Sequence, residues 1–270
     1  MKVFSRNEKI ICAISTLVLI FTFFYDNSLL RRWGGVRFSE MDGLMLFITD
    51  FGLLYLVIAL IVFCLVKNKL HDLLKLIVAA ALAFELSYIL KIIFQTPRPY
   101  AAVQVATIPL TQASGYSFPS LHTAFCFAFI PFINTIFEKK WQRILSLIMV
   151  LVIALSRTYL GVHYFSDVFA GGLIGFMTAK ICLYLDLKYK LLSRLSKQIK
   201  DKFELRRQIA HLVSGISIVF LLRLKLINAE GLGLVLIIGG LLSLICKYYK
   251  VPYIYKVLTY FERPTDLKFF

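Results

Sequence analysis

Six side chains of this 270-residue chain have the types and spacing needed to bind a phosphate group and to cleave it from an ester. They are Lys91, Arg98, Arg157, His122, His163 and Asp167. Arginine can hold two phosphate oxygens at once, and lysine adds a compact positive charge. Because basic residues are costly inside apolar helices, those at the helix ends are expected to serve a function. Three cations against one carboxylate predict a site for a multiply charged anion.

The two histidines and the aspartate predict the chemistry at this site. Asp167 follows His163 by four residues, so the two share a face if a helix begins near His163. A carboxylate beside an imidazole fixes its tautomer and raises its basicity. We therefore expect His163 to attack phosphorus and His122 to protonate the leaving oxygen. The three cations would stabilise charge on the phosphoryl oxygens in the transition state.

Ser120 joins this set because of its place at the start of a predicted helix. Pro119 suits a first helical turn, and Ser117 is a plausible N-cap. The free backbone N–H groups of such a turn favour an anion near Ser120. A metal site of two histidines and one aspartate is the alternative, but three nearby cations would repel a divalent ion. We predict neither a metal nor a cofactor.

The elements that carry these residues are membrane helices. Hydrophobic residues make up 59% of the chain and charged residues 17%, which excludes an ordinary soluble enzyme. Eight apolar runs are candidate spanning helices, and they predict an all-α, polytopic membrane protein. The runs are Ile10–Tyr25, Leu44–Val66, Leu73–Phe94, Pro119–Phe137, Ile144–Tyr159, Val168–Leu187, Ile209–Leu226 and Leu232–Cys246.

The net charge of +16 predicts orientation rather than nucleic-acid binding. If the N-terminus is cytoplasmic, most of the 31 lysines and arginines fall on the cytoplasmic side, as the positive-inside rule requires. No nucleic-acid recognition motif stands beside the charge. Alternating hairpins then place all six phosphate-site residues at the outer face of the cell, or inner, membrane.

The charged stretch after the sixth run predicts a domain boundary. We expect a six-helix domain over residues 1–187, a basic cytoplasmic linker over 188–207 and a two-helix appendix over 208–270. Within the third run, Glu85 is expected to be buried with a hydrogen-bond partner, because a carboxylate inside a bilayer needs one.

These residues resemble the type-2 phosphatidic acid phosphatase superfamily, whose motifs are K-x6-R-P, P-S-G-H and S-R-x5-H-x3-D. The chain has Lys91-x6-Arg98-Pro99 and Ser156-Arg157-x5-His163-x3-Asp167, which match the first and third motifs in full. Its second motif is Pro119-Ser120-Leu121-His122, with leucine in place of the usual glycine. The resemblance implies a six-helix core, hydrolysis without a metal and a phosphohistidine on His163.

The C-terminal part weakly resembles another group of membrane proteins. Arg206-Arg207-Gln208-Ile209-Ala210-His211 and Glu262-Arg263-Pro264-Thr265-Asp266 are similar to the opening of dolichol kinase and phosphatidate cytidylyltransferase-like proteins. The acidic catalytic segment that should follow is not in the sequence. The chain is then either a fragment of a fusion or carries the two helices as a scaffold, and we expect a non-catalytic role for this part.

The sequence thus predicts an integral membrane lipid phosphatase, with the bilayer and a lipid phosphate as its partners. Its candidate substrates are undecaprenyl diphosphate, phosphatidylglycerophosphate, phosphatidate and the 1-phosphate of lipid A. Transfer of the phosphoryl group to a second lipid is an alternative, because it shares the covalent step with hydrolysis. Transport of an anion or a lipid is another, although transport does not require the His163–Asp167 pair.

Overall fold

The protein is a bundle of membrane helices. The computed structural model describes residues 3–34, 38–102 and 113–201. Within these ranges the chain is helical and has no β-strand, which confirms the all-α prediction. Among the described residues, five helices are long and apolar enough to cross a membrane. Large apolar side chains point outward from them, and Phe24 on the first helix is 77% exposed. Such a surface suits lipid rather than water, and the chain is a multi-pass membrane protein.

The observed helices contain five of the predicted spans. In chain order they are α1 (Arg6–Gly34), α2 (Ser39–Phe47), α3 (Leu53–Val66), α4 (Leu70–Phe94), α5 (Pro99–Ala102), α6 (Leu121–Phe127), α7 (Ile133–Ile136), α8 (Lys140–Tyr159), α9 (Phe165–Tyr189) and α10 (Leu191–Asp201). A π-helical turn, Ile48–Gly52, joins α2 to α3 without a break. The last two predicted spans and the appendix 208–270 lie outside the described residues.

The fourth predicted span is not a single helix. Instead of running from Pro119 to Phe137, the chain forms α6, a 3-10 turn over Ile130–Phe132 and then α7. Pro131 explains the interruption, because it lacks an N–H and its ring clashes with the carbonyl four residues earlier. The prediction of one continuous helix was wrong here.

Residues 1–58 and 72–190 form one compact unit. This unit contains all six phosphate-site residues. Residues 59–71 and 191–201 are assigned to a second unit, in which His71 Nε2 lies 3.3 Å from Ser193 Oγ. The helix α10 covers residues 191–201 of the predicted linker 188–207. The predicted boundaries at 187 and 207 stay predictions.

Glycines bring α6 and α9 into close contact. A Cβ atom on Gly175 would lie 2.1 Å from the carbonyl oxygen of Ala124, and one on Gly171 would lie 2.5 Å from that of Ser120. Small residues allow helix backbones to approach this closely inside a membrane. This close packing holds the start of α6 against the start of α9.

Two ion pairs tie α9 to other helices, towards the end opposite the histidines. Lys75 of α4 lies 3.1 Å from Asp186 of α9, and both side chains are buried. Lys180 of α9 lies 2.8 Å from Glu8 of α1. Both pairs have a short N···O distance, so they fix the helices relative to one another along their length.

Glu85 departs from its expected environment. It is exposed, whereas Ala83, Ser87 and Lys91 of the same helix are buried. Those three recur every four residues, so they line one face of α4. Glu85 lies between them in sequence and therefore on the opposite face. The expectation of a buried carboxylate was wrong.

The close approach of α6 to α9 predicts that Gly175→Ala is destabilising. Because the added Cβ would overlap a backbone carbonyl, the helices must separate, at a cost of about 1–3 kcal/mol. Thermal unfolding of the purified protein in detergent should show a lower Tm. Gly43→Ala is the matched control, since a Cβ there meets nothing within 4 Å. Equal Tm values for the two variants would contradict this packing.

Candidate active site

His163 and Asp167 form a buried hydrogen-bonded pair at the start of α9. His163 lies just before the helix, and its Nδ1 is 3.1 Å from Asp167 Oδ2. The two residues are 2% and 0% exposed. The helix begins at Phe165, two residues later than the pairing prediction assumed. The pair forms because Asp167 reaches back to accept a hydrogen bond from the N–H of Tyr164, 2.9 Å away, and so fixes the turn before the helix.

The same aspartate anchors the segment before α6. Ser117 donates its hydroxyl hydrogen bond to Asp167 Oδ2, and its Oγ lies 3.4 Å from His163 Nδ1. The N–H of Ser120 donates to the backbone oxygen of Asp167 at 3.0 Å. Ser117 and Ser120 are both fully buried. One residue of α9 therefore positions both serines.

The helix that carries His122 begins later than predicted. Its first residue is Leu121 and its N-cap is Ser120, so Pro119 precedes the helix and Ser117 is not its cap. Ser117 is instead engaged by Asp167, which explains why it cannot cap the helix. Ser120 accepts a hydrogen bond from Thr123 at 3.0 Å. His122 lies in the first turn and is partly exposed.

Arg98 lies against the other nitrogen of His163. Its Nη1 is 3.5 Å from His163 Nε2 and donates to the carbonyl of Val162 at 2.9 Å. Nε and Nη2 donate to the carbonyls of Gly115 and Ser114, each at 2.9 Å. These bonds hold a buried guanidinium beside the imidazole without neutralising its charge.

Lys91 is held in the same manner. Its ammonium donates to the carbonyls of Tyr116 at 2.7 Å and Ser117 at 2.8 Å. The side chain is only 7% exposed. It approaches from the last turn of α4, which ends at Phe94 before Pro97 and so agrees with the predicted helix end.

Arg157 enters from the last turn of α8. Its guanidinium is buried, and its Nη1 donates a hydrogen bond to the hydroxyl of Thr49. Its Nε is buried and has no hydrogen-bond partner among the residues that the structure describes. A buried guanidinium with unused donors has capacity left for an anion.

The three cations act together on the two imidazoles. Arg157, Arg98 and Lys91 interact electrostatically with both His122 and His163, and the imidazoles interact with each other. The six predicted phosphate-site residues are thus brought together. Burial first, and then these cations, hold the pKa of His163 well below its ordinary value of 6.5. Near neutral pH its ring is neutral, and Nδ1–H donates to Asp167, which leaves a lone pair on Nε2.

Three polar residues at or near the site escaped the sequence reasoning. Ser117 was assigned a different role, whereas Thr49 and Asp26 received none. Asp26 of α1 is buried and accepts two hydrogen bonds from Ser166, one from its N–H at 3.1 Å and one from its hydroxyl. Asp26 thereby fastens the first turn of α9 to α1. The available signal was an aspartate at the C-terminal end of an apolar run, which warrants a search for a partner.

Comparison with known proteins points to one family. Residues 72–190 match a family model described as PAP2 superfamily. Undecaprenyl-diphosphatase of Sulfolobus acidocaldarius is 27% identical over 140 residues, which is 52% of this chain and 68% of that protein.

Two solved structures share the architecture. The crystal structure of Aquifex aeolicus LpxE is 29% identical, with a TM-score of 0.51, and covers 58% of this chain and 93% of its own. A PAP2 type phosphatidylglycerolphosphate phosphatase from Bacillus subtilis is 20% identical and also has a TM-score of 0.51. It covers 67% of this chain and 98% of its own, and at this identity the likeness shows the fold alone.

The bond between α1 and α9 predicts that Asp26→Ala lowers stability. The change leaves the buried N–H and hydroxyl of Ser166 without their acceptor, at a cost of about 1–3 kcal/mol. A lower Tm in detergent is the expected result. In a double-mutant cycle, Ser166→Ala should cost less when Asp26 is already alanine, because the hydroxyl bond is then absent. Additive changes in Tm would show that the two side chains act independently.

Proposed function

We propose that the buried histidine site hydrolyses a membrane lipid phosphate through a phosphohistidine. The chain belongs to the PAP2 superfamily through residues 72–190, and this membership supports the proposal. The observation that carries the proposal is the orientation of His163. One ring nitrogen is 3.1 Å from a carboxylate oxygen and the other is 3.5 Å from a guanidinium. A nucleophilic nitrogen is suited to attack a phosphate when a carboxylate orients its ring and a cation lies beside it.

In the first step, the lone pair on His163 Nε2 attacks phosphorus. A bond forms between nitrogen and phosphorus, and the bond from phosphorus to the lipid oxygen breaks. Because the bound phosphate offsets the charge of the nearby cations, His122 carries a proton in the complex and donates it to that oxygen, so the lipid leaves as an alcohol or, from a diphosphate, as a monophosphate. Asp167 stabilises the positive charge that develops on the imidazole.

In the second step, water attacks the phosphohistidine. His122, now neutral, accepts a proton from the water, and the nitrogen–phosphorus bond breaks. Inorganic phosphate leaves, and both histidines return to their starting states. During both steps the equatorial oxygens are bound by Lys91, Arg98 and Arg157. Ser120 is a further residue that binds the phosphate. The protein's own cations supply the positive charge, so the proposed reaction uses no metal.

The apolar surface around the site favours a lipid substrate that arrives along the bilayer. The proposed substrates remain undecaprenyl diphosphate, phosphatidylglycerophosphate, phosphatidate and lipid A 1-phosphate. The relative from Sulfolobus acidocaldarius is named for undecaprenyl diphosphate, which makes a polyprenyl diphosphate the first substrate to test. We further propose that the site faces the extracytoplasmic side of the inner membrane, as the distribution of lysine and arginine favours.

The mechanism predicts phosphate release that persists in EDTA and depends on His163. His163→Ala should lower kcat at least about 10³-fold, because no other group forms the covalent intermediate. Purified protein in detergent would be assayed against the four lipids, with His71→Ala as the control histidine variant. Loss of wild-type activity in EDTA, or full activity in His163→Ala, would overturn the mechanism. Phosphorylated second lipids among the products would indicate phosphotransfer instead.

The hydrogen bond from Ser117 to Asp167 predicts a smaller effect on the same reaction. Ser117→Ala should lower kcat about tenfold with little change in KM, because the carboxylate loses a donor that orients it toward His163. Ser87→Ala is the matched control, since Ser87 is equally buried but its hydroxyl has no hydrogen-bond partner within residues 3–34, 38–102 and 113–201. Equal kcat values for the two variants would remove Ser117 from the mechanism.

A further inference from the structure

We infer that Thr49 is a positioning residue, which sets the direction of the Arg157 guanidinium and thereby the affinity of the site for a phosphate group. The inference rests on the proposed function only in taking the ligand of Arg157 to be a phosphate. Thr49 lies outside the matched region 72–190 and in none of the three motifs.

The first argument is the isolation of Arg157. Its side chain is almost fully buried, yet its one hydrogen bond within the described residues runs from Nη1 to Thr49 Oγ1. Arg98, by comparison, donates to three backbone carbonyls. A guanidinium is planar, so one fixed donor restricts the directions available to the others. A single hydroxyl therefore carries the orientation of Arg157.

The second argument is the way Thr49 is itself held. Ser156, the residue before Arg157, donates its hydroxyl hydrogen bond to the carbonyl of Ile153 at 2.7 Å. The same hydroxyl lies 3.2 Å from Thr49 Oγ1. Thr49 is 2% exposed. Its oxygen thus contacts two successive residues of α8, and its position cannot change without disturbing both.

The third argument is the π turn that carries Thr49. In Ile48–Gly52 the helix accommodates an extra residue, which shifts the register between α2 and α3. Both Thr49 and Gly52 are buried there, and a Cβ on Gly52 would lie 3.4 Å from the side chain of Ile153. The turn therefore packs closely against α8, one helical turn before Arg157. Single π turns inside α-helices are frequent at functional sites.

These contacts predict that Thr49 affects the affinity of the site for a phosphate group. Arg157 does not exchange a proton or form a covalent bond in the proposed reaction. Without the hydroxyl of Thr49, a bound phosphate must itself order the guanidinium, which weakens binding. A hydrogen bond to a charged group is worth at least about a tenfold change in affinity.

The test uses Thr49→Val, which removes the hydroxyl and keeps the shape of the side chain. Binding of orthovanadate and of inorganic phosphate to the full-length protein in detergent would be measured by titration calorimetry. We expect affinities about tenfold weaker than those of the wild type, and near-normal affinities in Thr49→Ser. Thr22→Val is the matched control, because Thr22 is a buried threonine of α1 whose hydroxyl bonds to Leu19 of its own helix at 2.9 Å. Its anion affinity should not change.

A second comparison separates positioning from a purely structural role. In an Arg157→Ala background, Thr49→Val should cause no further loss of anion affinity, because the group it positions is gone. A lower Tm with unchanged affinity, or an equal further loss in that background, would overturn the inference. Since these titrations need no turnover, absence of phosphate release from every lipid would refute the proposed function without affecting this test.

Discussion

The site depends on one buried carboxylate. Asp167 accepts hydrogen bonds from the imidazole of His163, the N–H of Tyr164 and the hydroxyl of Ser117, and its backbone oxygen accepts one from Ser120. These donors belong to the turn before α9 and to the segment before α6. An unpaired buried carboxylate would be costly, so burial drives both segments onto Asp167. The fold of the site and the orientation of its imidazole have the same physical cause.

The cations are arranged on a different principle. Lys91 and Arg98 are buried, but their hydrogen bonds go to backbone carbonyls rather than to carboxylates. A carbonyl satisfies a donor and leaves the net charge in place. Concentrating positive charge in this way raises the energy of the empty site, and a bound anion relieves that energy. Lys75, which is buried elsewhere in the same compact unit, is instead paired with the carboxylate of Asp186.

The sequence was sufficient for the parts of the structure that depend on local pattern. Hydropathy located five spanning helices, and the four-residue spacing located the pairing of His163 with Asp167. Sequence reasoning failed at Pro131, because the apolar run continues through a helix break. It also failed at Glu85, because packing decides which face of α4 is buried. Thr49 and Asp26 could not be assigned from sequence because their partners, Arg157 and Ser166, are more than a hundred residues away. Only the packing of α1 and of the π turn brings these pairs together.

The break at Pro131 has a consequence for the surrounding lipid. The whole segment Leu121–Ile136 rises roughly 24 Å at the helical repeat, whereas the hydrocarbon layer is about 30 Å thick. The bilayer must therefore thin beside this segment, or polar groups at its ends must sit below the headgroups. Thinning brings the headgroup layer, and with it the depth of lipid phosphates, nearer to the level of His122. Where the bilayer thins, hydrophobic mismatch at this short segment reduces the distance that a lipid phosphate must move to reach that level.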